Sequence, residues 1–589
     1  MKLNFDYYKN EDDNKIIGQE YENILEKIVK CDDEDYSKTL KVNDSIKDIL
    51  ALSEIRENIL NWYKFKENCK ILELNANYGE LTGLLCQKAN NIISIESSKR
   101  CAELIAKRYE QKENIEVIVA DYKKVEFQEK FDYIVIVGIV ENLENEIEYA
   151  KKYIRNDGKI IIAVNNKYGM KAWTTVREEE NIINNSKNTI SKKKLDRILN
   201  GLKYRYYFPL PNYYMPNIIY SENSMPNVEN IYRDITYKDR EVNFRETEGY
   251  RSIIEDDSSV FVNYANSFLI EASMSDLETN KIEFVTFSNM KKDEYRIKTI
   301  VEKDFVYKTA VNYKANDHIN NIKKNIDLMN NIGIMNLDKY ENNTIISKFC
   351  TENKLEDKML SLYINEGLDC LTEEIIKYKK YLIEKLEKIE NINENVFDKY
   401  NVKYDENIIN DLTFVKHGFW DLIFQNCFVI NNQYYFFDQE WYEENIPVEY
   451  IIYRAIIYFN TIKKYESNET LLEKVGILKY YNIFLELDNK IQEKIRKPLM
   501  WNIHSTEEVT GEKINKLNKK LDMHEKIIQE KDKEIIEYKN EISNLKNRIN
   551  NLDSENKINN DKMLQLQNSM SWKITKPLRK INEIIRRKK

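Results

Sequence analysis

The sharpest chemical pattern in the chain lies in the stretch HGFWDLIFQNCFVINNQYYFFDQEW. Asp421 stands five residues before Asn426, and Asp438 follows after two strand-like runs. Carboxylate and carboxamide oxygens suit Mg²⁺, which prefers a few protein oxygens together with phosphate and water. Side chains of this type can hold Mg²⁺, although a loop and hairpin without chemistry could have the same spacing.

This arrangement resembles that of protein kinases and of aminoglycoside or choline phosphotransferases. The resemblance implies that Asp421 is the catalytic base and that Asn426 and Asp438 are metal ligands. It also implies ATP as the phosphate donor. The family's HG pair normally abuts the catalytic aspartate, and here it stands two residues earlier, so we expect His417 to be structural.

Three strand-like runs between 282 and 311 match the N-terminal lobe of a kinase. Lys308 lies where that family has its ATP-binding lysine, on the third strand, and Lys298 is a rival. The helical run that follows offers Asp317 and Asp327 as acidic partners for this lysine, and the sequence does not choose between them.

A second chemical pattern is the stretch ILELNANYGELTGLL, which runs from a predicted strand into a predicted helix. A strand, a tight turn and a helix N-terminus together form a pocket for a nucleotide or a similar cofactor. The turn extends from Asn75 to Gly79. Asparagine is the non-glycine residue that best tolerates a left-handed backbone, so the turn can form with few glycines.

The turn resembles motif I of class I S-adenosylmethionine (SAM) methyltransferases, whose pattern is acidic–x–Gly–x–Gly–x–Gly. Glu73 matches the acidic position and Gly79 the last glycine, while Asn75 and Asn77 replace the first two glycines. The resemblance implies that this segment binds SAM, with the asparagine side chains crowding the ligand.

Two acidic residues follow at the spacing of the same family. Glu96 ends the next predicted strand and Asp121 the third. The resemblance implies that Glu96 accepts the ribose hydroxyls and that Asp121 recognises the adenine amine. FDYIVIVGIVENL resembles motif IV, after which Glu141 either faces the acceptor or only starts a helix. A degenerate Rossmann-like domain without a cofactor is the alternative.

The elements that must position these residues follow from length and pattern. At 589 residues, the chain has room for three or four structural units. From 68 to 165, nearly continuous apolar strand-like runs alternate with helical runs, which predicts a doubly wound α/β Rossmann-like sheet. Residues 1–67 are predicted to be helical, and residues 209–226 hold four of the seven prolines in an extended, turn-rich segment.

Composition excludes several classes. Aromatic residues make up 12% of the chain, and there are only 13 glycines and 7 prolines, which argues against a disordered or collagen-like protein. The net charge of −8 predicts no nucleic-acid partner. Seven dispersed cysteines without a CxxC pair and only four histidines predict a reduced, cytosolic protein without structural zinc.

A heptad pattern occupies residues 511–555. One column consists of Ile514, Leu521, Ile528, Ile535, Ile542 and Ile549, and the other of Leu517, His524, Lys531, Tyr538, Leu545 and Leu552. Six heptads with this spacing predict a coiled coil and hence a homo-oligomer. A long solvated single helix is the alternative.

The segment 569–589 carries eight Lys or Arg residues and one Glu, a net charge of +7. Trp572, Leu578 and several isoleucines give it an apolar side. Such a segment is typical of a peripheral anchor on an anionic membrane surface. A basic tail that docks on an acidic partner is the alternative.

The predicted order is a helical segment (1–67), a methyltransferase domain with an extension (68–235), an α+β kinase-like domain (236–500), a coiled coil (511–555) and a basic tail (569–589). This order resembles the bifunctional kinase–methyltransferases that terminate bacterial O-antigen chains. The resemblance implies phosphorylation and methylation of a glycan or glycolipid end, recruitment of a glycosyltransferase or polymerase, and a location at the inner face of the cell membrane.

Two alternatives stay open. One is a SAM-dependent methyltransferase of another surface or flagellar glycan, with a pseudokinase domain. The turn SNMKKDEY favours it, because it contains no glycine for a phosphate-binding loop. The other is a non-enzymatic scaffold that holds a glycosyltransferase at the membrane.

Overall fold

The computed structural model describes residues 1–8, 19–31, 36, 39–40, 46–138, 142–175, 189–228, 230–231, 242–390, 394–497 and 510–587. The chain divides into two compact units, Met1–Val509 and Thr510–Lys589. All strands in the described ranges belong to the N-terminal unit, and the C-terminal unit is helical.

A mixed sheet forms the framework of the first half of the N-terminal unit. Its strands are β1 (Lys2–Asn4), β2 (Lys70–Leu74), β3 (Asn91–Glu96), β4 (Ile115–Val119), β5 (Phe131–Val137), β6 (Ile154–Asn166), β7 (Thr189–Ile190), β8 (Lys203–Leu210), β9 (Ile218–Ser221) and β10 (Ser267–Ser273). Their order is β1-β4-β3-β2-β5-β6-β10-β8-β9, with β7 beside β6. Strands β1 to β6 pair in parallel, so the carboxyl ends of β2 to β6 meet at one edge.

Helices cover this sheet on both faces. They are α1 (Gln19–Val29), α2 (Ile46–Leu52), α3 (Asn58–Asn61), α4 (Thr82–Lys88), α5 (Lys99–Arg108), α6 (Leu143–Tyr153), α7 (Met170–Thr174), α8 (Lys192–Ile198), α9 (Glu246–Ile254) and α10 (Phe261–Tyr264). Leu72 and Leu74 pack in one apolar core, and Ile71 packs in another. The predicted doubly wound sheet is therefore confirmed, because successive side chains of one strand are buried on opposite faces.

Two features of this sheet differ from the prediction. Residues 1–67 are not only helical, because β1 adds a parallel edge strand beside β4. The boundary at residue 235 lies upstream of β10, which inserts antiparallel between β6 and β8. Buried residues such as Phe268 and Ile270 reach this position from far along the chain, so the local pattern does not reveal the pairing.

The sheet continues into the second half of the N-terminal unit. The further strands are β11 (Ile282–Phe287), β12 (Ile297–Glu302), β13 (Phe305–Ala310), β14 (Met335–Asn336), β15 (Asp338–Glu341), β16 (Thr344–Lys348), β17 (Phe414–Gly418), β18 (Cys427–Ile430), β19 (Gln433–Phe436) and β20 (Glu443–Pro447). β11 pairs with β9, and the order runs on as β11-β12-β13-β16-β15. The three predicted strands between 282 and 311 are confirmed as β11, β12 and β13.

Eight α-helices in the described part of the chain complete this half. They are α11 (Asn316–Asn331), α12 (Leu355–Glu366), α13 (Leu368–Lys385), α14 (Val396–Lys399), α15 (Glu406–Asn410), α16 (Val448–Ile457), α17 (Asn468–Lys474) and α18 (Tyr481–Ile495). A large apolar core surrounds the loop that precedes β18. Within it, the buried Tyr378 hydroxyl donates a hydrogen bond to the backbone oxygen of Leu422 at 3.0 Å, which fixes the loop next to Asp421.

The C-terminal unit contains α19 (Thr510–Asn568), α20 (Met570–Ile574) and α21 (Lys576–Arg586). The first heptad column, Ile514 to Ile549, is 47–59% exposed along the 59-residue helix α19. The predicted helix is confirmed, and the coiled coil stays a prediction. Among the described residues, no helix combines the length and apolar character needed to cross a bilayer.

Candidate active sites

The turn after β2 has the backbone conformation that the sequence predicts. Asn75 (φ 60°), Asn77 (φ 49°) and Gly79 (φ 77°) all lie in the left-handed region. The Asn75 N–H donates to the backbone oxygen of Ile95 at 3.0 Å, which ties the turn to β3. A Cβ at Gly79 would lie 2.9 Å from the ring of Tyr109, so this position also needs glycine for space.

Glu73 lies inside the fold. One oxygen of its carboxyl group accepts hydrogen bonds from Thr82 Oγ1 at 2.8 Å and from Ser94 Oγ at 2.6 Å. Burial raises the pKa of Glu73 to about 7, and the two hydroxyl donors only partly oppose this shift. Glu73 therefore joins β2, β3 and α4 below the turn.

Glu96 joins the end of β3 to the turn. One of its carboxyl oxygens accepts the Asn77 N–H at 2.8 Å and the other accepts the Ser98 N–H at 2.9 Å. Only 4% of the residue is exposed, and burial raises the pKa of Glu96 to about 7. Each oxygen keeps a lone pair with which it can accept a further hydrogen bond.

The other predicted residues of this site differ in their surroundings. Asp121 is half-buried after β4, where it caps a short 3₁₀-helix (Tyr122–Lys124) by accepting the Lys123 N–H at 3.0 Å. Glu141 lies outside the described residues.

Sequence reasoning missed two contributions to this edge of the sheet. Arg56 lines a small cavity of about 10 Å³ beside the turn, together with Glu80. Tyr213 and Tyr214 come from the proline-rich extension, and the Tyr214 hydroxyl accepts a hydrogen bond from Asn165 at the end of β6 (3.4 Å). These residues carried no local signal, because Tyr214 meets Asn165 across 49 positions and Arg56 meets Tyr213 across 157 positions of the chain.

The second site assembles the predicted Asp–Asn–Asp set. Asp421, Asn426 and Asp438 all line a cavity of about 540 Å³. Asn426 Nδ2 donates to the backbone oxygen of Asp421 at 3.3 Å, which leaves the amide oxygen for a ligand. Asp438 has a left-handed backbone (φ 61°). Within the described ranges, no group of three His, Cys, Asp or Glu side chains is arranged to hold a metal ion.

Asp421 has an arginine partner that the sequence did not reveal. Arg454 on α16 donates to Asp421 Oδ1 at 3.0 Å, and its guanidinium lies 4.3 Å from the ring centre of Trp420. Burial raises the pKa of Asp421 to about 6, because Arg454 only partly opposes it and the carboxylates of Glu440 and Asp438 add to it.

Lys308 pairs with Asp438. Burial of the ammonium group disfavours its charge, but Asp438, Asp338 and Glu440 outweigh this and raise the pKa of Lys308 above its ordinary value. The expectation of a partner on the following helix was wrong. Asp317 and Asp327 are both exposed on α11. Lys308 on β13 instead faces Asp338, Asp438 and Glu440, which lie on other strands and loops.

Lys298, the rival lysine, serves another part of the fold. Its ammonium group donates to Asn61 Oδ1 at 2.7 Å and to the Asn61 backbone oxygen at 3.1 Å. Burial lowers the pKa of Lys298 to about 8, with a further contribution from Lys88. His417 lies in β17, where its Nδ1 is 3.1 Å from the Tyr442 hydroxyl, away from the cavity lining.

The turn between β11 and β12 closes one side of the cavity. Residues 287–291 line it, and Lys291 pairs with Glu440, which also lies 3.1 Å from His318 Nε2. Burial opposes ionisation of Glu440, but Lys291 and His318 outweigh it and hold its pKa well below the usual range. A lysine thus occupies the turn in which the sequence shows no glycine.

No protein-family model matches the chain. Two curated relatives are both named "Probable ribosomal RNA small subunit methyltransferase A". That of Methanosarcina acetivorans is 40% identical over 65 residues, 11% of this chain and 24% of the relative. That of Methanosarcina mazei is 32% identical over 90 residues, 15% of this chain and 32% of the relative. The chain therefore spans about a quarter to a third of the length of these relatives.

Similar solved structures include phosphoethanolamine N-methyltransferase 1 of Haemonchus contortus in complex with phosphoethanolamine and S-adenosylhomocysteine. The match is 14% identical, extends over 44% of this chain and 50% of that protein, and has a TM-score of 0.26. The CcbJ methyltransferase of Streptomyces caelestis is 11% identical to this chain. The match extends over 42% of this chain and 100% of that protein, and its TM-score is also 0.26. TM-scores this low carry no argument about what this chain does.

Proposed function

We propose that the first site is the cofactor site of a SAM-dependent methyltransferase. The observation that carries the proposal is the link between the left-handed turn after β2 and the buried Glu96 after β3. Both stand at the carboxyl edge of parallel strands, where open α/β sheets bind their ligands. The similarity of a short stretch to two probable rRNA methyltransferases supports the same class of reaction.

The residues at this edge fit such a cofactor. The Asn75–Gly79 turn brings backbone groups to the edge of the sheet, and Glu96 has lone pairs left for two ribose hydroxyls. SAM supplies an activated methyl group on a sulfonium. The contribution of the protein is to position the acceptor in line and exclude water, so a strong base is not required.

Isothermal titration calorimetry with SAM tests this proposal on the full chain. Glu96→Ala should weaken SAM binding at least tenfold, because a charged acceptor contributes about 1.5–3 kcal/mol. Asp157→Ala, a change of an exposed carboxylate paired with Lys66, is the control and should leave binding unchanged. Equal affinity in wild type and Glu96→Ala would contradict the assignment.

We propose a second activity, ATP-dependent phosphotransfer, at the 540 Å³ cavity. The specific observation in its favour is that Asp421, Asn426 and Asp438 meet at one cavity, with Lys308, which stands 130 residues before Asp438, paired to Asp438. Oxygen donors of this kind fit Mg²⁺, which would neutralise the phosphates of the nucleotide. Asp421 would accept the proton of the acceptor hydroxyl, held in place by Arg454.

Transfer of the γ-phosphate from ATP to a glycan extract, followed over pH, tests this second activity. Asp438→Asn should abolish transfer in the presence of Mg²⁺. The wild-type rate should rise as pH increases through about 6, because a base with this pKa must be ionised to act. Full activity of Asp438→Asn would refute the site. Absence of ATP binding in the wild type would support a pseudokinase instead.

We propose a bacterial surface glycan or glycolipid as the acceptor and a glycosyltransferase or polymerase as a partner. Support comes from the predicted domain order, which resembles that of the kinase–methyltransferases of O-antigen synthesis. Half-exposed Tyr168 and Trp173, which follow β6, could stack on sugar rings. Mass spectrometry of a glycan incubated with the protein, SAM and ATP should reveal added methyl and phosphate groups; an unchanged glycan would favour a scaffold.

We further propose that α19 forms a homo-oligomeric coiled coil and that α21 binds the anionic inner face of the cell membrane. The half-exposed heptad columns and the basic, amphipathic α21 support this. Truncation after residue 568 should release the protein from anionic liposomes and leave its oligomeric state intact. Pelleting of the truncated protein with liposomes at physiological salt would contradict the anchor.

A further inference from the structure

Asp338 is a buried carboxylate beside the second site. It is the first residue of β15, only 3% of it is exposed, and it lies outside the lining of the 540 Å³ cavity. Its Oδ2 accepts the backbone N–H of Asp438 at 2.9 Å, and its Oδ1 accepts the hydroxyl of Ser347 on β16. One of its two donors is therefore the backbone of a proposed metal ligand.

The contact between Asp338 and Asp438 follows from the register of two strands. β14 pairs in parallel with β19, and each residue lies opposite the one 100 positions later, as Asn336 does with Phe436. The Leu337 N–H donates to the Phe436 backbone oxygen at 2.8 Å and extends this pairing by one step. The same offset then brings Asp338 beside Asp438.

Asp438 needs an acceptor for its N–H at this point, because its backbone lies in the left-handed region that residues with a side chain rarely adopt (φ 61°). The bond to Asp338 holds this conformation. The Asp438 side chain is 37% exposed and lines the cavity, although its backbone is fixed from behind. Asp338 thus determines the direction in which the Asp438 carboxylate points.

Asp338 also faces Lys308, the cation that pairs with Asp438. Against the effect of burial, the carboxylates of Asp438, Asp338 and Glu440 raise the pKa of Lys308, in that order of strength. Glu440 is itself paired with Lys291. Asp338 therefore shares the ammonium group with Asp438. This sharing matters because a lysine and a metal ion compete for the same carboxylate oxygens.

We infer that Asp338 is a positioning residue that fixes Asp438 and draws Lys308 partly away from it, so that an oxygen of Asp438 stays available for Mg²⁺. This inference rests on the proposed phosphotransfer function. Asp338 acts only through these two residues, since it lies behind the cavity lining. Without its charge, Lys308 would bind Asp438 more strongly, and Mg²⁺ would have to displace a stronger ion pair.

The metal dependence of ATP binding tests this inference on the full chain. Calorimetry gives the ratio of ATP affinity with saturating Mg²⁺ to ATP affinity in EDTA, which should be at least about tenfold in wild type. Asp338→Asn should lower this ratio by about three- to tenfold, because asparagine keeps an acceptor for the Asp438 N–H but loses the charge. Glu341→Gln, which removes an exposed carboxylate from the same strand, is the matched control and should keep the ratio.

Lys308→Met separates the shared lysine from a purely structural role. Although this variant binds ATP more weakly, its ratio should rise by about threefold, because no cation competes with Mg²⁺ for Asp438. In the Lys308→Met background, Asp338→Asn should change the ratio by less than about twofold. A lower ratio in Lys308→Met would overturn the inference even if Asp338→Asn does not fold, and an equal effect of Asp338→Asn in both backgrounds would overturn it too.

The remaining outcomes distinguish the inference from the function on which it rests. A wild type that binds ATP equally well with Mg²⁺ and in EDTA would overturn the inference and leave nucleotide binding intact. Equal weakening of ATP binding under both conditions in Asp338→Asn would also overturn it, since a purely structural role gives that result. A wild type that binds no ATP would overturn the proposed phosphotransfer and this inference with it.

Discussion

At the turn after β2, the buried carboxyl groups of Glu73 and Glu96 accept hydrogen bonds from hydroxyl and backbone N–H groups. At the cavity near Asp421, half-buried carboxylates instead face lysine and arginine. Burial raises the pKa of both glutamates to about 7, so each is only partly ionised at neutral pH. The first site thus suits a ligand that brings hydroxyl groups, and the second suits phosphate and a metal ion, whose charges need ionised partners.

Among the variants that test this difference between the two sites, the largest effect is expected from a substitution of Asp421. Asp421→Asn removes the proposed base and should lower the phosphotransfer rate by about 10²–10⁴-fold, the range for loss of general base catalysis. Its SAM affinity should match that of wild type. Asp411→Asn, which alters an exposed aspartate paired with Lys479, is the matched control for the rate assay. A rate within threefold of wild type would contradict the proposed role.

A smaller effect is expected from Glu73. It concerns how the free energy of unfolding changes with pH. Its folded-state pKa of about 7 lies above the ordinary value of 4.5, so the folded protein loses stability as pH rises through this window. The side chain of Glu73→Gln cannot ionise. Between pH 4.5 and 8, the free energy of unfolding of this variant should therefore rise by about 3 kcal/mol relative to that of wild type. Urea denaturation at both pH values measures this.

The Gln side chain can keep the hydrogen bonds to Thr82 and Ser94, because both hydroxyls donate to the same oxygen of Glu73. Glu144→Gln, at an exposed position of α6, serves as the control. A constant difference in stability between Glu73→Gln and wild type over the whole pH range would contradict a raised folded-state pKa of Glu73.

The two lysines of the antiparallel strands provide a third test. Lys308→Met should weaken ATP binding by about 10–100-fold, because it removes the cation that pairs with Asp438. Lys298→Met should change ATP affinity by less than threefold, since its ammonium group binds Asn61. Calorimetry with ATP and Mg²⁺ compares them, and the reverse order of effects would make Lys298 the nucleotide lysine.

The smallest effect is expected in the turn itself. Asn77→Ala should destabilise the protein by about 1–2 kcal/mol, the cost of a left-handed backbone for a residue with an ordinary side chain. Asn77→Gly is the matched variant. It should be more stable than Asn77→Ala by at least that amount, because glycine adopts the left-handed conformation without this cost. Thermal unfolding of the two variants decides this, and equal stability would mean that the left-handed conformation is not retained in solution.

Local sequence determined the parts of both sites that lie on continuous segments. The strands β2 to β5 were predictable because each is a nearly continuous apolar run covered on both faces. The left-handed turn was predictable because asparagine and glycine tolerate that conformation. Asp421, Asn426 and Asp438 meet because only one short loop and one hairpin connect them. Their closeness in sequence therefore made their closeness in space predictable.

Tertiary structure alone decided which charges these residues face. The boundary at residue 235 was misplaced because β10 pairs with β6 across about 100 residues, and β1 joins β4 over a similar distance. Arg56 reaches the first site from a short 3₁₀-helix (Glu54–Glu57), and Arg454 reaches the second from α16. Periodicity reports only whether a side chain is buried, whereas the pKa of a buried carboxyl group depends on which distant cation the fold brings within a few ångströms of it.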